Sequence, residues 1–167
     1  SVRPQIQRNY SRPWPQQAVR QLIFSLFPYP DRIRLLLTPL ALYQKLGLSK
    51  LVKSTGLLKR VSPNLAAMES LLPPVTASCF SDNLPELIPT QGEKRYRVGM
   101  ILGCVQRVFF SGVNEATARV LSANGCEVVI PQSQGCCSAL PEHQGETAQA
   151  QALARQMIDS FETTGVD

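Results

Sequence analysis

An α/β fold is predicted by two short apolar runs and by the helical periodicity that follows each of them. Residues 98–102 and 128–130 are continuously apolar, which is typical of strands covered on both faces in a parallel sheet. Apolar residues recur at helical spacing over 113–121 and again over 150–161. The order strand, helix, strand, helix predicts a Rossmann-like βαβα unit with parallel strands and a right-handed crossover.

The amino-terminal part is predicted to form short, irregular helices. Apolar spacing predicts one helix over residues 17–27 and a second over 31–46, kinked or broken at Pro39. The serine–proline pair at 62–63 is a typical helix start and predicts a helix through Leu72. None of these apolar runs approaches the roughly 20 residues that a membrane-spanning helix needs.

These elements divide the chain into three predicted parts. Residues 1–72 form a helical connecting or docking segment, and residues 73–96 form a Pro-rich linker. Residues 97–167 form the first part of a cysteine-bearing α/β domain. Because the chain begins at Ser1 and not at a methionine, we expect it to be a piece of a longer one.

Charge is distributed unevenly along the chain. Residues 1–60 contain 11 Lys or Arg and one acid, whereas residues 61–167 contain 6 Lys or Arg and 11 acids. This asymmetry predicts a docking surface for an acidic protein or a membrane face, unless the basic half packs on its own acidic half. Nucleic acid is disfavoured because the basic residues are scattered singly among aliphatic ones.

The cysteines give the strongest functional signal. Cys104 follows the first predicted strand, and the adjacent pair Cys136 and Cys137 follows the second, 31 residues further along. The carboxyl ends of parallel strands share one edge, with neighbouring strands about 4.8 Å apart, so we expect the three thiols to converge. Adjacent cysteines suit neither one zinc ion nor a mutual disulfide, but they can bind different irons of one cluster. The three cysteines are therefore the candidate ligands of an iron–sulfur site.

Four further residues receive less specific interpretations. Cys79 is expected to be an incidental thiol in a loop, and Cys126 to serve packing at the start of the second strand. Arg107 is expected at the surface, and His143 at the surface or as a helix cap. Five cysteines and no secretory start predict a reducing compartment.

The segments around the three candidate ligands carry a family resemblance. The stretches G-C-V-Q-R, G-C-E-V-V-I-P and Q-G-C-C-S-A-L within residues 97–167 resemble the cysteine-rich (Cys-Cys-Gly) domain family, and within it the iron–sulfur subunits of glycolate oxidase. The cysteine-rich subunit of heterodisulfide reductase is a more distant relative. The family's glycine after the cysteine pair is Ser138 here, and one family histidine is replaced by Pro141. The family's ferredoxin-type cysteine motifs are missing from this sequence, which also stops short of the family's next cysteine motif after the pair. The resemblance thus implies that the βαβα unit is truncated and that the chain is an internal fragment.

The resemblance implies an iron–sulfur electron-transfer subunit of a glycolate or similar 2-hydroxy-acid oxidase. It implies a 4Fe–4S-type cluster, cubane or non-cubane, held by Cys104, Cys136 and Cys137. It also implies flavin-containing partner subunits, a quinone pool or other acceptor, and a cytoplasmic location, with peripheral association at the inner membrane face left open. The substrate chemistry would lie on the partner, because no nicotinamide, P-loop or Ser-His-Asp pattern is found in the sequence.

Two alternatives stay open at this point. The first is a thiol or disulfide redox module in which the adjacent cysteine pair is the active group. The second is an interaction domain stabilised by zinc, bound through the three cysteines and His143.

Overall fold

The computed structural model describes residues 2–81 and 84–167, and it has the predicted α/β architecture. Its helices are α1 (Arg3–Asn9), α2 (Trp14–Leu26), α3 (Pro30–Lys45), α4 (Leu48–Thr55), α5 (Leu57–Val61), α6 (Pro63–Ser70), α7 (Gln106–Phe109), α8 (Ser111–Ala123), α9 (Ala139–His143) and α10 (Thr147–Glu162). The strands are β1 (Leu87–Ile88), β2 (Tyr96–Gly99) and β3 (Cys126–Val129), and a 3-10 helix covers Ala77–Phe80.

The sheet has the strand order β1-β3-β2. Strands β2 and β3 are parallel, with Val98 opposite Val128, which confirms the predicted pairing. Strand β1 pairs antiparallel with β3 through Leu87 and Ile88, and the sequence did not predict it. Leu87 and Ile88 lie between Pro85 and Pro89, and two residues are too few to show the alternation of apolar and polar residues that predicts a strand. Residues 82 and 83 of that linker lie outside the described residues.

The first parallel strand is shorter and more open than predicted. Strand β2 ends at Gly99, and although Met100 and Leu102 are buried, Gly99 and Ile101 are exposed. Burial on both faces was therefore a wrong prediction for this run. The reason is its position, since β2 is the edge strand of the sheet that the structure describes.

Helix α8 covers the sheet with a face that overlaps the predicted one at Leu121 but is otherwise different. Its buried residues are Asn114, Ala118 and Ser122, while Val113 and Val120 of the predicted apolar face are exposed. The small side chains of Ala118 and Ser122 face the sheet side, and the Ser122 hydroxyl donates a hydrogen bond of 2.7 Å to the Pro89 carbonyl. The face of α8 that packs against the sheet is thus determined by small side chains and by the hydrogen bond of Ser122, and not by the valines at 113 and 120.

The amino-terminal helices follow the prediction closely. Helices α2, α3 and α6 match the predicted segments, and α3 continues through Pro39 without a break. The Ser62 hydroxyl accepts a 3.5 Å hydrogen bond from the Leu65 amide at the start of α6. Among the described residues, none of the helices is long and apolar enough to span a bilayer.

Helix α3 packs on the α/β unit through a small apolar cluster. Ile33 and Leu37 of α3 contact the buried side chains of Cys79 and Val108. Cys79 is therefore part of a packed core, and the expectation of an incidental loop thiol was wrong. No sequence pattern indicated this burial, because the surrounding Pro-rich segment lacks periodicity.

Candidate metal centre

Two loops at the carboxyl edge of the parallel strands bring Cys104 and Cys136 together. Cys104 follows β2, Cys136 follows β3, and their sulfurs lie 3.8 Å apart. Cys136 is 1% exposed and Cys104 is 9% exposed, and both pack against Leu153 of α10. The parallel topology thus produces the predicted contact between these two cysteines.

A buried glutamine ties the two loops to each other. The Gln134 Oε1 atom accepts a hydrogen bond of 3.0 Å from the Leu102 amide, and its Nε2 donates one of 3.2 Å to the Met100 carbonyl. Arg107 Nη1 donates to the Gln134 carbonyl at 3.3 Å. Because buried polar groups are almost always paired, Gln134 fixes the backbone before Cys104 relative to the backbone before Cys136.

Asn114 holds the same backbone from the side of α8. Its Nδ2 donates a hydrogen bond of 3.0 Å to the Leu102 carbonyl, and its Oδ1 accepts one of 2.7 Å from Gln106. Sequence reasoning missed both Gln134 and Asn114. The signal that could have revealed Asn114 is its i, i+4, i+8 spacing with Ala118 and Ser122, a small-residue stripe that includes one amide.

The contact between the two thiols shifts their pKa values in opposite directions. The Cys136 thiol donates to the Cys104 sulfur, and this hydrogen bond is the main reason that the pKa of Cys104 is lowered to about 6. Burial opposes the shift, while backbone amides and the Arg107 guanidinium add to it. The pKa of Cys136 is raised, first by the hydrogen bond to Cys104 and then by burial. The pair therefore favours the thiolate form on Cys104 and the thiol form on Cys136.

Arg107 lies inside the site and not at the surface. It is 7% exposed at the start of α7, next to the loop of Cys104. The expectation of a surface arginine was wrong because α7, which the sequence did not predict, turns this residue inward.

The structure does not bring Cys137 into a group with the other two cysteines. Cys137 is exposed, and the described residues contain no set of three or more His, Cys, Asp or Glu side chains placed to hold a metal ion. The expected convergence of three thiols is thus reduced to a contact between two. Neighbouring residues project in different directions, and with Cys136 directed into the buried cluster, Cys137 is left facing solvent. Its assignment as a ligand stays a prediction.

The remaining candidates fall where the sequence placed them. Cys126 is buried in the sheet core, at the start of β3 and away from the paired thiols, which confirms its packing role. His143 is exposed at the end of α9, as expected for a surface residue. His143 is therefore not part of the site that Cys104 and Cys136 form.

A cavity of about 370 Å³ opens beside Cys136 and joins the site to the amino-terminal helices. Tyr29 and Arg34 line it from the start of α3, and Arg107 and Gln156 line it from the α/β unit. The amino-terminal segment therefore forms one wall of the candidate site.

The donor chemistry of the pair fits an iron–sulfur cluster. Cysteine thiolates are the usual cluster ligands, and a buried thiolate held on a fixed loop meets that requirement. The pair alone supplies fewer donors than the full cysteine set that a cluster takes. The pair also supplies fewer ligands than the four that a structural zinc site takes, and His143 is exposed and not grouped with the two cysteines among the described residues.

Comparisons with known proteins locate two families along the chain. Residues 15–72 match the family model for the linker region of the glycolate oxidase iron–sulfur subunit, and residues 98–167 match the model for the cysteine-rich domain. No solved structure matches the chain.

Curated relatives agree with these matches. A Bacillus subtilis protein named "Probable glycolate oxidase iron-sulfur subunit" is 35% identical over 97% of this chain, which spans 37% of that relative. The "Lactate utilization protein A" of Bacillus licheniformis is 33% identical over 40% of the chain and 28% of the relative. An uncharacterized iron–sulfur protein of Methanococcus maripaludis is 28% identical over 56% of the chain and 19% of the relative. The chain therefore belongs to the family of glycolate oxidase iron–sulfur subunits, with their linker region at 15–72 and their cysteine-rich domain at 98–167.

Proposed function

We propose that this chain is part of an electron-transfer subunit of a glycolate or similar 2-hydroxy-acid oxidase, and that it contributes ligands to a 4Fe–4S-type cluster. The carrying observation is the buried contact between Cys104 and Cys136 at the carboxyl edge of two parallel strands. The proposed ligands are Cys104, Cys136 and Cys137. The family matches support this proposal, because the relative that covers nearly the whole chain is named as such a subunit.

The chemistry supplied by a bound cluster would be the acceptance and release of single electrons. The residues of the chain prepare the site for it. The lowered pKa of Cys104 favours its thiolate form, and Gln134 and Asn114 hold the loop that carries this cysteine. Leu153 packs against the two cysteines and adds an apolar side chain to the site. Arg107 places a buried positive charge where added electrons would raise the negative charge.

The proposed partners are the other oxidase subunits of the complex, with a flavin-containing subunit as electron donor and a quinone or other acceptor downstream. A docking face that would suit an acidic subunit lies on α4, α5 and α6. These helices expose the apolar side chains of Leu51, Val61 and Met68, and the basic residues Lys50 and Arg60, which precede Leu51 and Val61 in sequence, are exposed as well. Such a mixture of apolar area and one sign of charge favours recognition of an acidic surface with an apolar centre.

The cluster proposal is tested by anaerobic purification of the chain together with the sequence that flanks it naturally. Iron, acid-labile sulfide and visible charge-transfer absorption are measured in Cys104→Ser, Cys136→Ser and Cys137→Ser, with Cys79→Ser and Cys126→Ser as matched controls. We expect loss or alteration of the cluster in the first three variants and retention in the controls. An unchanged cluster in both Cys104→Ser and Cys136→Ser would overturn the proposal, and bound zinc in place of iron would favour the zinc alternative.

The docking proposal is tested separately by charge reversal. Lys50→Glu combined with Arg60→Glu is expected to weaken binding to the partner subunits at least tenfold and to flatten its salt dependence. Arg119→Glu on the exposed side of α8 is the control and should bind as the unmodified chain does. Equal binding by the double variant and the control would rule out this face.

A further inference from the structure

The geometry points to a second chemistry for the buried cysteine pair. We propose that, whenever no cluster is bound, Cys104 and Cys136 are oxidised by a hydroperoxide to an intrachain disulfide. This modification would convert the candidate ligand pair into a closed form that cannot accept a metal until a dithiol reductant reopens it. The inference goes beyond electron transfer, because it concerns the protein without its cluster and requires no partner subunit.

The two sulfurs are already placed for bond formation. Their separation of 3.8 Å is the distance that must fall to about 2.05 Å when the bond forms. Gln134 bonds to both the Leu102 amide and the Met100 carbonyl, so the two loops that carry the thiols are held next to each other. Bond formation therefore begins from an ordered pair and avoids most of the entropy of loop closure.

The other cysteines are poorly placed to compete. Cys137 faces solvent, and a disulfide with its neighbour Cys136 would be strained. Cys79 is buried in the cluster around Ile33, and Cys126 is in the sheet core at the opposite end of β3. The structure thus singles out one pair among five thiols.

The reaction balances with one hydroperoxide for each disulfide. The Cys104 sulfur attacks the peroxide, the O–O bond breaks, and a sulfenic acid and one water (or alcohol) form. The Cys136 sulfur then attacks the sulfenic sulfur, the S–OH bond breaks, and the Cys136 proton leaves with hydroxide as a second water. The two thiols lose two electrons in total, and the peroxide gains them.

The test starts from iron-free, fully reduced protein treated with one equivalent of hydrogen peroxide. Remaining thiols are then blocked with N-ethylmaleimide, and the digest is analysed by mass spectrometry. We expect a mass loss of two hydrogens and a cross-link between Cys104 and Cys136, formed at a rate independent of protein concentration. Cys137→Ser and Cys126→Ser should retain the cross-link, and Cys136→Ser should lose it while accumulating a trappable sulfenic acid.

Other outcomes overturn the proposal. These are a dominant cross-link from Cys104 to Cys137, a comparable cross-link in Cys136→Ser, dimerisation through disulfides, or over-oxidation without any cross-link. Failure of the proposed function is measured independently, because cluster content is determined on anaerobic protein that never meets peroxide. Cluster-loaded protein should give less than a tenth of the cross-link under the same treatment.

Discussion

The α/β unit and the three short helices α4, α5 and α6 bury their apolar side chains to very different extents. In the α/β unit, Val128 and Ile130 are fully buried in a cluster with Met100 and Leu102 after β2 and with Ala118 of α8. Helices α4 and α6 contain no buried residue among those described, and Met68 is 66% exposed. The first region closes its own core, whereas the second presents apolar surface that the described residues do not cover.

Charge separates the two regions in the same way. Arg20 of α2 pairs with Glu146 at 3.0 Å, so part of the basic half does pack on the acidic half of the same chain. Further along, Lys50 and Arg60 remain exposed beside the uncovered apolar residues. This contrast is the one that the docking face proposed on α4 to α6 requires.

The largest expected effect on stability comes from shortening a buried side chain in the α/β unit, compared with shortening an exposed side chain in α6. Ile130→Ala removes a fully buried side chain and should lower the free energy of unfolding by about 2–5 kcal/mol. Met68→Ala removes an exposed one and should change it by less than about 0.5 kcal/mol. Urea denaturation followed by circular dichroism measures both. Similar losses in the two variants would show that α6 has a buried face in solution and would remove the contrast.

A smaller effect is expected at the clamp between the two cysteine loops. Gln134→Ala leaves the Leu102 amide and the Met100 carbonyl without their buried partner, which should cost about 1–3 kcal/mol. Gln151→Ala on the exposed face of α10 is the matched control and should be nearly neutral.

The clamp has a second readout that a purely structural effect would not produce. Gln134→Ala should slow formation of the Cys104–Cys136 disulfide at least threefold under conditions where the variant is still folded. If its stability and its cross-linking rate both equalled those of Gln151→Ala, the clamp would have no role in positioning the thiols.

Sequence patterns located the fold class and the pairing of the central strands, because apolar runs and helical spacing report burial directly. They did not locate the inner face of α8, since Asn114 and Ser122 are polar residues buried by specific hydrogen bonds. They also missed β1, whose two residues carry no periodicity and gain their structure from pairing with β3. The sequence-based predictions failed for features that are determined by tertiary contacts and not by a local pattern of residues.

The candidate site shows the same division. Topology alone predicted that Cys104 and Cys136 would meet, because the ends of neighbouring parallel strands share one edge. The direction of the Cys137 side chain and the burial of Arg107 depend on the local turns, which no spacing rule describes. Gln134 escaped notice because a glutamine in a loop is most often solvated.

The turn after the cysteine pair gives a prediction of intermediate size. Ser138 has a φ of 65°, a left-handed conformation that is unfavourable for residues with a side chain. Ser138→Gly should therefore raise the free energy of unfolding by about 0.5–1 kcal/mol. Gly103 has a φ of 71°, and Gly103→Ser should lower stability by about 1 kcal/mol, which makes it the reverse control. Destabilisation by Ser138→Gly in denaturant titrations would mean that the serine is favoured at this turn.

The smallest effect concerns the charged pairing at the opposite end of the parallel strands. Glu127 accepts hydrogen bonds of 2.7 Å from Lys94 and from Arg97, and the bond from Lys94 is the main cause that lowers the pKa of Glu127 below its usual value. A carboxyl group with a lowered pKa in the folded state stabilises the fold above its unfolded pKa, and this contribution is lost as the pH falls through the folded value.

Between about pH 6 and about pH 3, the melting temperature of the unmodified chain should thus fall more than that of Glu127→Gln. The difference should shrink in high salt, because the pairs are solvent-accessible and screened. Parallel melting curves for the two proteins across this pH range would show that the ion pairs contribute nothing measurable. In that case the stability of the α/β unit would rest on its apolar core and its buried amides alone.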